Sequence, residues 1–311
     1  MSSTNNVEAK VADMCCASCG IAEVDETKQL KKCDDCDLVR YCSDKCQEDH
    51  RPNHEAVCKE RATELRQDIL FRQPESTHLG DCPICFLPLS LDPNKFVSYY
   101  CCSKVICHGC TAANMMRQKK EGLPDGCPFC RQLYSKTQEE TNRQKKKRIE
   151  ANDPMALRDK GRTHYFDGDY ERAFEYCSKA AELGDMEAHC YLYMMYEAGL
   201  GVEKDKGKET YHLEVAAIGG HPRARHSLGC NEVGLAFQED SDIILNRAVK
   251  HWIIAAKLGD DDSIVRLTEG FKDGFVSKEE FASALRGHQA AVDATKSPQR
   301  EEAEKLVPPR Y

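Results

Sequence analysis

Four pairs of potential metal ligands crowd the first 60 residues. Cys16 and Cys19 are spaced C-x-x-C, thirteen residues separate them from a second such pair, Cys33 and Cys36, and five more precede Cys42, Cys46, His54 and Cys58. Thiolate and imidazole are the donors a tetrahedral Zn²⁺ prefers, and eight of them fill two closed sites with no open position for a reactive water. The chemistry is therefore structural. A second cluster uses the same vocabulary. Cys82/Cys85, Cys107/Cys110 and Cys127/Cys130 are all C-x-x-C, and the adjacent Cys101 and Cys102 lie between the first two pairs. Three pairs supply six ligands, and a second ion needs two more.

Short turns and helices must carry these groups. A C-x-x-C pair suits a tight turn that aims both thiolates at one ion, whereas Cys42/Cys46 and His54/Cys58 have the i, i+4 spacing of one helix face. Leu65 and Ile69 continue a helical interval through Glu55 to Arg72 before PESTHLG breaks it. Sixteen of the 19 cysteines precede residue 131 in a chain of 311, so the two halves are built differently. The N-terminal MSSTNNVEAKVAD lacks the basic and apolar regions of a secretory signal, and no run of 18 apolar residues could span a bilayer. The expectation is a soluble intracellular chain, without a membrane partner, whose cysteines bind metal instead of forming disulfides. A net charge of −8 argues against nucleic acid and for protein partners.

The stretch YCSDKCQEDHRPNHEAVC, with the two C-x-x-C pairs before it, resembles the MYND zinc finger over about residues 13 to 60. The resemblance implies that the first and third pairs share one zinc, Cys16, Cys19, Cys42 and Cys46. The second and fourth, Cys33, Cys36, His54 and Cys58, share another. Cys15 falls outside the spacing. The family binds short proline-rich peptides with a glutamine and a tryptophan; Gln47 matches the glutamine, and Arg51 stands at the tryptophan position. A zinc-stabilised spacer is the competing expectation.

Residues 81 to 135, from DCPICFLPL to CPFCR, resemble the RING finger. Counting back from Cys107 in the register C-x-H-x-x-C-x-x-C puts Lys104 where a histidine belongs, and an ammonium has no lone pair to offer a metal. The alternative is an all-cysteine RING, similar to that of Not-type ubiquitin ligases, in which Cys101 and Cys102 both bind. His108, inside the Cys107/Cys110 knuckle, is then a bystander. Cross-bracing as in the family implies Cys82, Cys85, Cys107 and Cys110 on one zinc and Cys101, Cys102, Cys127 and Cys130 on the other, four zinc ions in all. The family grips a ubiquitin-conjugating enzyme through an apolar residue in the first knuckle, an apolar residue or proline at the last, and a basic residue after it. Ile84, Pro128 and Arg131 hold those positions, with Leu87 and Met115 as possible extensions.

Beyond the cysteines, SKAAELGD (178 to 185), LEVAAIGGH (213 to 221) and IIAAKLGD (253 to 260) repeat an alanine pair at intervals of 36 and 39 residues, with a fainter GHQAAVD after 35 more. Such periods mark helix-pair solenoids. In the first unit Leu157, Gly161, Tyr165, Tyr170, Ala173, Cys177 and Ala180 form the helical stripes. The pattern resembles Sel-one-like repeats over about residues 154 to 295, a family of protein-binding scaffolds, with three full repeats and a degenerate fourth. Cys177, Cys190 and Cys230 read as core thiols. Lys145 to Arg148, KKKR, reads as a solvated charged face, and KDGFVSKEEF is not a calcium loop because Phe271 occupies a ligand position. The terminal PPRY matches the pattern WW domains bind.

The expected fold is mainly α, two small cross-brace zinc modules followed by an α-solenoid. Its parts are a disordered N-terminus (1–12), a MYND-type finger (13–60), a helical linker (61–80), a RING-type finger (81–135), a charged linker (136–153), the repeat array (154–295) and a disordered tail (296–311). The expected function is a ubiquitin ligase that acts by orientation, with the RING recruiting a conjugating enzyme and the solenoid a substrate. The alternative is a scaffold or transcriptional co-regulator with a silent RING.

Overall fold

The computed structural model describes residues 15–19, 21 and 30–306. They divide into two compact units, one ending at Arg72 and one beginning at Gln73.

In the first unit a short antiparallel hairpin pairs β1 (Lys31–Lys32) with β2 (Arg40–Tyr41), and the helix α1 (Asp44–Leu70) follows. Ser43 caps α1 by accepting from the Cys46 amide at 3.2 Å. Among the described residues the buried core cluster holds Cys16, Leu30, Cys33, Cys36 and Tyr41. Three of these five are candidate ligands, so little apolar burial is available without a metal. The linker expected to be helical over 61–80 is helical only to Leu70, as a direct extension of the finger's own helix. Pro74 lies just beyond and disfavours helical geometry in the residue before it.

The second unit begins with a cysteine-rich module. Its hairpin joins β3 (Phe96–Tyr99) and β4 (Lys104–Cys107), in register from Phe96 opposite Cys107 to Tyr99 opposite Lys104. The helix α2 (His108–Glu121) starts immediately, with Cys107 as its cap, and ends at Gly122 in the left-handed conformation. Leu89, Tyr99 and Ile106 are buried among the thiols and give this module an apolar core of its own.

The charged segment expected as a linker forms α3 (Gln138–Glu150), capped by Thr137. Four antiparallel helix pairs follow: α4 (Pro154–Phe166) with α5 (Tyr170–Glu182), α6 (Met186–Ala198) with α7 (Lys206–Ile218), α8 (Pro222–Glu239) with α9 (Asp242–Lys257), and α10 (Asp261–Asp273) with α11 (Lys278–Ala294). Five of the eight are capped by an aspartate, Asp153, Asp169, Asp185, Asp205 or Asp260, whose carboxylate accepts from an amide of the first turn. The repeated alanines are the packing surface, since Ala180, Ala216, Ala217, Ala255 and Ala256 are wholly buried. Gly161 lets α4 approach α5, because a Cβ there would lie 2.6 Å from the Cys177 sulfur. The apparent calcium half-loop is instead a capping box in which Ser277 and Glu280 satisfy each other's amides.

The tail expected to be disordered from 296 contains another helix, α12 (Pro298–Leu306), packed on α2. Its sequence is strongly polar, so no apolar stripe announces it. It is anchored by polar contacts and by Ala303, which is buried. The PPRY motif lies outside the described residues.

Candidate metal centres

Three C-x-x-C turns share one backbone shape. In each, the amide of the first cysteine donates to a carbonyl beyond the turn, Cys33 to Val39 at 2.9 Å, Cys82 to Leu87 at 3.0 Å and Cys127 to Gln132 at 2.8 Å. The residue after the second cysteine donates back to the first cysteine's carbonyl and is left-handed: Asp37, Phe86 and Arg131 have φ of 57°, 56° and 63°. This knuckle turns both thiols to one side and directs the following side chain away from them.

The four sets implied by the two resemblances converge. Cys16, Cys19, Cys42 and Cys46 form one cluster, and Cys33, Cys36, His54 and Cys58 the next, each with ligand atoms within 4.8 Å of one another. Sulfur separations of 3.6 Å for Cys19–Cys42, 3.5 Å for Cys42–Cys46 and 3.7 Å for Cys33–Cys58 match the edge of about 3.8 Å expected for a tetrahedron with zinc–sulfur bonds of about 2.3 Å. His54 joins through Nε2, 3.1 Å from Cys36 Sγ. Its ring stacks on His50, whose Nδ1 pairs with the buried Tyr41 hydroxyl at 3.0 Å.

In the second module Cys82, Cys85, Cys107 and Cys110 gather as one set, and Cys101, Cys102, Cys127 and Cys130 as another. Cys85–Cys107 and Cys102–Cys127 are each 3.8 Å apart and Cys130–Cys101 is 3.4 Å. The adjacent Cys101 and Cys102 reach one point because they sit in the β3–β4 turn, where Ser103 takes φ of 53° and the chain reverses sharply. His108 stands outside both sets. In both modules the two sets alternate along the chain, the interleaving that defines a cross-brace.

Packing thiols together splits their proton affinities: burial works to raise Cys16, but the backbone amides of Cys19, Cys42 and Ser18 bring it down to about 6, while its neighbour Cys42 is pushed up. Hydrogen bonding to Cys46 and Cys19 keeps the proton on Cys42 and pushes it up to about 12, and burial with neighbouring Cys33 and Cys36 does the same for Cys58. Burial and Cys127 lift Cys102 to about 11. The thiols pushed up hold their protons until a divalent cation displaces them. The donors present, fifteen thiols and one imidazole at tetrahedral spacing, fit zinc, with Cys and His holding it in closed sites.

Two arginines that sequence reasoning missed support the second module. Arg300, on α12 and 8% exposed, donates through Nη2 to Cys85 Sγ at 3.3 Å and the Leu87 carbonyl at 3.1 Å. Its Nη1 reaches the carbonyls of Pro88 at 2.6 Å and Thr295 at 2.7 Å. Burial works to raise the Cys85 thiol, but the Leu87 amide, Arg300 and neighbouring thiols bring it down to about 7. Gln299 donates to the Gly109 carbonyl at 3.1 Å, and Lys95 pairs with Glu304 at 2.9 Å. At the other set, Arg148 donates to the carbonyls of Cys101 at 2.6 Å and Tyr100 at 3.1 Å. Tyr100 donates to Asp159 at 2.7 Å, and Lys145 lies 4.3 Å over its ring. The KKKR run is thus only partly a solvated face, since Lys145 and Arg148 turn inward to hold the turn that carries Cys101. No local motif marks these contacts; they join residues far apart in sequence.

His78, Glu187 and His221 also meet within 4.8 Å. His221 Nδ1 accepts from the Ala224 amide as the cap of α8, which leaves its proton on Nε2 to donate to Glu187 at 2.9 Å. That proton occupies the position a metal would take, so the trio is a structural tie. It holds the 76–78 segment on the solenoid, where His78 stacks on His221 with ring centroids 4.0 Å apart. Gly220, with φ of 79°, gives that segment room; a Cβ would come 2.4 Å from the Ser76 carbonyl oxygen.

The remaining candidates are surface groups. Ile84 is 37% exposed, Arg131 is exposed and Pro128 half-buried; Met115 is exposed and Leu87 half-buried. On α1, Gln47 is half-buried and Arg51, one turn later, is exposed. Among the described residues no helix is long and apolar enough to cross a membrane.

Comparison with known proteins agrees with part of this organisation. No curated protein matches the chain. Among solved structures, a Sel1 repeat protein from Oxalobacter formigenes is 25% identical, covering 60% of this chain and 72% of that one, with a TM-score of 0.41. The protective antigen c5321 of uropathogenic Escherichia coli strains, described as displaying an SLR fold, is 24% identical over 50% of this chain and 33% of its own, with a TM-score of 0.38. The family model of the MYND finger matches residues 16–58, the segment that holds the first two ligand sets.

Proposed function

We propose that this protein is a zinc-dependent ubiquitin ligase of the RING type. Its second module holds a charged ubiquitin-conjugating enzyme while the helix-pair array recruits a protein substrate. The observation that carries this is the interleaving of eight thiols over residues 82–130 into two tetrahedral sets, Cys101 and Cys102 included. Four zinc ions, two in each module, complete the proposal.

Further support comes from the knuckles. Their left-handed residue directs Arg131 out into solvent, where a guanidinium can donate to ubiquitin and conjugating enzyme together. Ile84 and Pro128 offer the apolar contacts. The module contributes no nucleophile; it accelerates transfer by holding the thioester in a reactive pose. At the N-terminal finger, Gln47 is the candidate contact for a peptide, with Arg51 supplying a cation where the family has an aromatic ring. That exchange favours an acidic segment over a purely apolar one.

The test is discharge of a ubiquitin thioester from a panel of conjugating enzymes by the zinc-loaded chain. Acceleration that is lost in Arg131→Ala and Ile84→Ala, at unchanged zinc content, is the expected result. Intact thioesters across the panel, with partners still bound, would leave the scaffold function in its place.

A further inference from the structure

The solenoid's three cysteines occupy unlike surroundings. Cys177 is wholly buried, and burial pushes its thiol up to about 12. Cys190 is 5% exposed, and burial likewise raises its thiol well above the ordinary range. Both behave as core groups. Cys230, half-buried on α8, faces the imidazole of His226 one turn earlier, with Sγ 3.4 Å from Nε2.

The far side of that imidazole is tied to α10. His226 Nδ1 lies 2.9 Å from Ser263 Oγ and 3.5 Å from Asp260 Oδ2. Ser263 donates its one hydroxyl proton to Asp260 at 2.6 Å, so toward His226 its oxygen can only accept. The proton on the ring is thereby set on Nδ1, and the Nε2 lone pair points at the thiol. Asp260 is held in turn by accepting from the Ser263 amide at 2.8 Å as the cap of α10. A nucleophile, a base and an orienting pair therefore stand in sequence, the arrangement that activates thiols.

We propose that Cys230 is a peroxide-reactive thiol, oxidised to a sulfenic acid by hydrogen peroxide, with His226 as proton carrier and Ser263 and Asp260 as positioning residues. His226 Nε2 takes the thiol proton. The thiolate sulfur attacks one peroxide oxygen, and the S–O bond forms as the O–O bond breaks. Sulfur loses two electrons, the peroxide gains them, and the imidazolium returns its proton to the departing hydroxide as water. The balance is one thiol and one peroxide in, one sulfenic acid and one water out.

The surroundings suit this chemistry. The groups facing the sulfur are His226 on α8, Trp252 on α9 and Arg266 on α10, while Asp260 and Asp262 face the imidazole. Burial opposes ionisation of Cys230, but His226, Trp252 and Arg266 outweigh it and bring the thiol below its usual range. Val233 and Trp252 pack in the same core cluster, leaving a half-buried sulfur suited to a two-oxygen oxidant.

The test uses the zinc-loaded full chain, pulsed with hydrogen peroxide in the presence of dimedone and read peptide by peptide by mass spectrometry. At neutral pH Cys230 should acquire the sulfenic adduct about tenfold faster than Cys177 or Cys190, since thiolate fraction and access set the rate. His226→Gln should lower that rate about tenfold, as the thiolate fraction falls once the thiol loses its imidazole partner. Ser263→Ala keeps the thiol and base but frees the ring, so its pH–rate midpoint should move upward while the melting temperature holds. That variant also carries the test if His226→Gln does not fold. Equal labelling of the three cysteines would overturn the proposal. So would an unchanged pH–rate profile in Ser263→Ala, or rapid alkylation by iodoacetamide without any dimedone adduct.

Discussion

The two cysteine-rich modules obey one ligand grammar and are stabilised in different ways. Residues 16–58 and 82–130 each interleave two tetrahedral donor sets around the same knuckle turn. Among the described residues the first module's core cluster holds Leu30 and Tyr41 beside the ligands, and its 27-residue helix is mostly exposed. The second buries Leu89, Tyr99 and Ile106 and is gripped by Arg148, Arg300 and the Tyr100–Asp159 hydrogen bond. A shared cross-brace therefore does not imply identical dependence on metal. What differs is how much of the fold survives when the ligands let go.

Metal removal should expose that difference most strongly. Structural zinc contributes about 10–16 kcal/mol per site to folding, far beyond what the first module's apolar core can replace. Chelation at neutral pH should bring residues 16–58 to full hydrogen exchange within the earliest time points, while α4 to α11 stay protected. Equal protection of both modules after zinc is gone would break the comparison.

Arg300→Ala should follow in size. It removes donors to Cys85, Leu87, Pro88 and Thr295, and loss of such outer contacts typically weakens metal binding by about 10- to 100-fold. Zinc transfer to a chromogenic chelator should gain a fast component assigned to Cys82, Cys85, Cys107 and Cys110. Release from the first module should not change. A smaller effect is expected from Gly161→Ala, whose new methyl meets the Cys177 sulfur at 2.6 Å. Overpacking of this kind costs about 1–3 kcal/mol, to be read as a lower solenoid melting temperature at full zinc content.

The smallest effect concerns pH. Burial opposes ionisation of Glu187, but hydrogen bonds from His221 and His78 hold its carboxyl well below the usual range. A depressed folded value adds stability above the unfolded value of about 4.3 and loses it as pH falls further. Glu187→Gln should therefore melt lower than the parent at neutral pH, and the gap should narrow below pH of about 4. A gap that is constant with pH would remove the carboxylate from the tie between residue 78 and the solenoid.

Legibility follows the range over which each residue acts. The knuckles, the i, i+4 ligand pairs and the alanine repeats depend on neighbours within one turn, and all can be read along the chain. The adjacent Cys101 and Cys102 are harder, since their convergence needs the β3–β4 reversal, yet counting ligands already called for both. α12 escapes because SPQREEAEKL has no apolar stripe; its partners are carbonyls about 200 residues earlier. Cys230 escapes for a related reason. His226 is visible one turn away, but Ser263 and Asp260, which orient it, come from another helix.

Spacing alone determined the C-x-x-C and i, i+4 ligand pairs and that helix pairs would follow, because tetrahedral coordination and the helical period are local constraints. Tertiary structure alone decided that Arg148 and Arg300 brace the second module and that one solenoid thiol meets a base. Those depend on where distant helices dock, and a polar side chain takes its role from the partner it finds there.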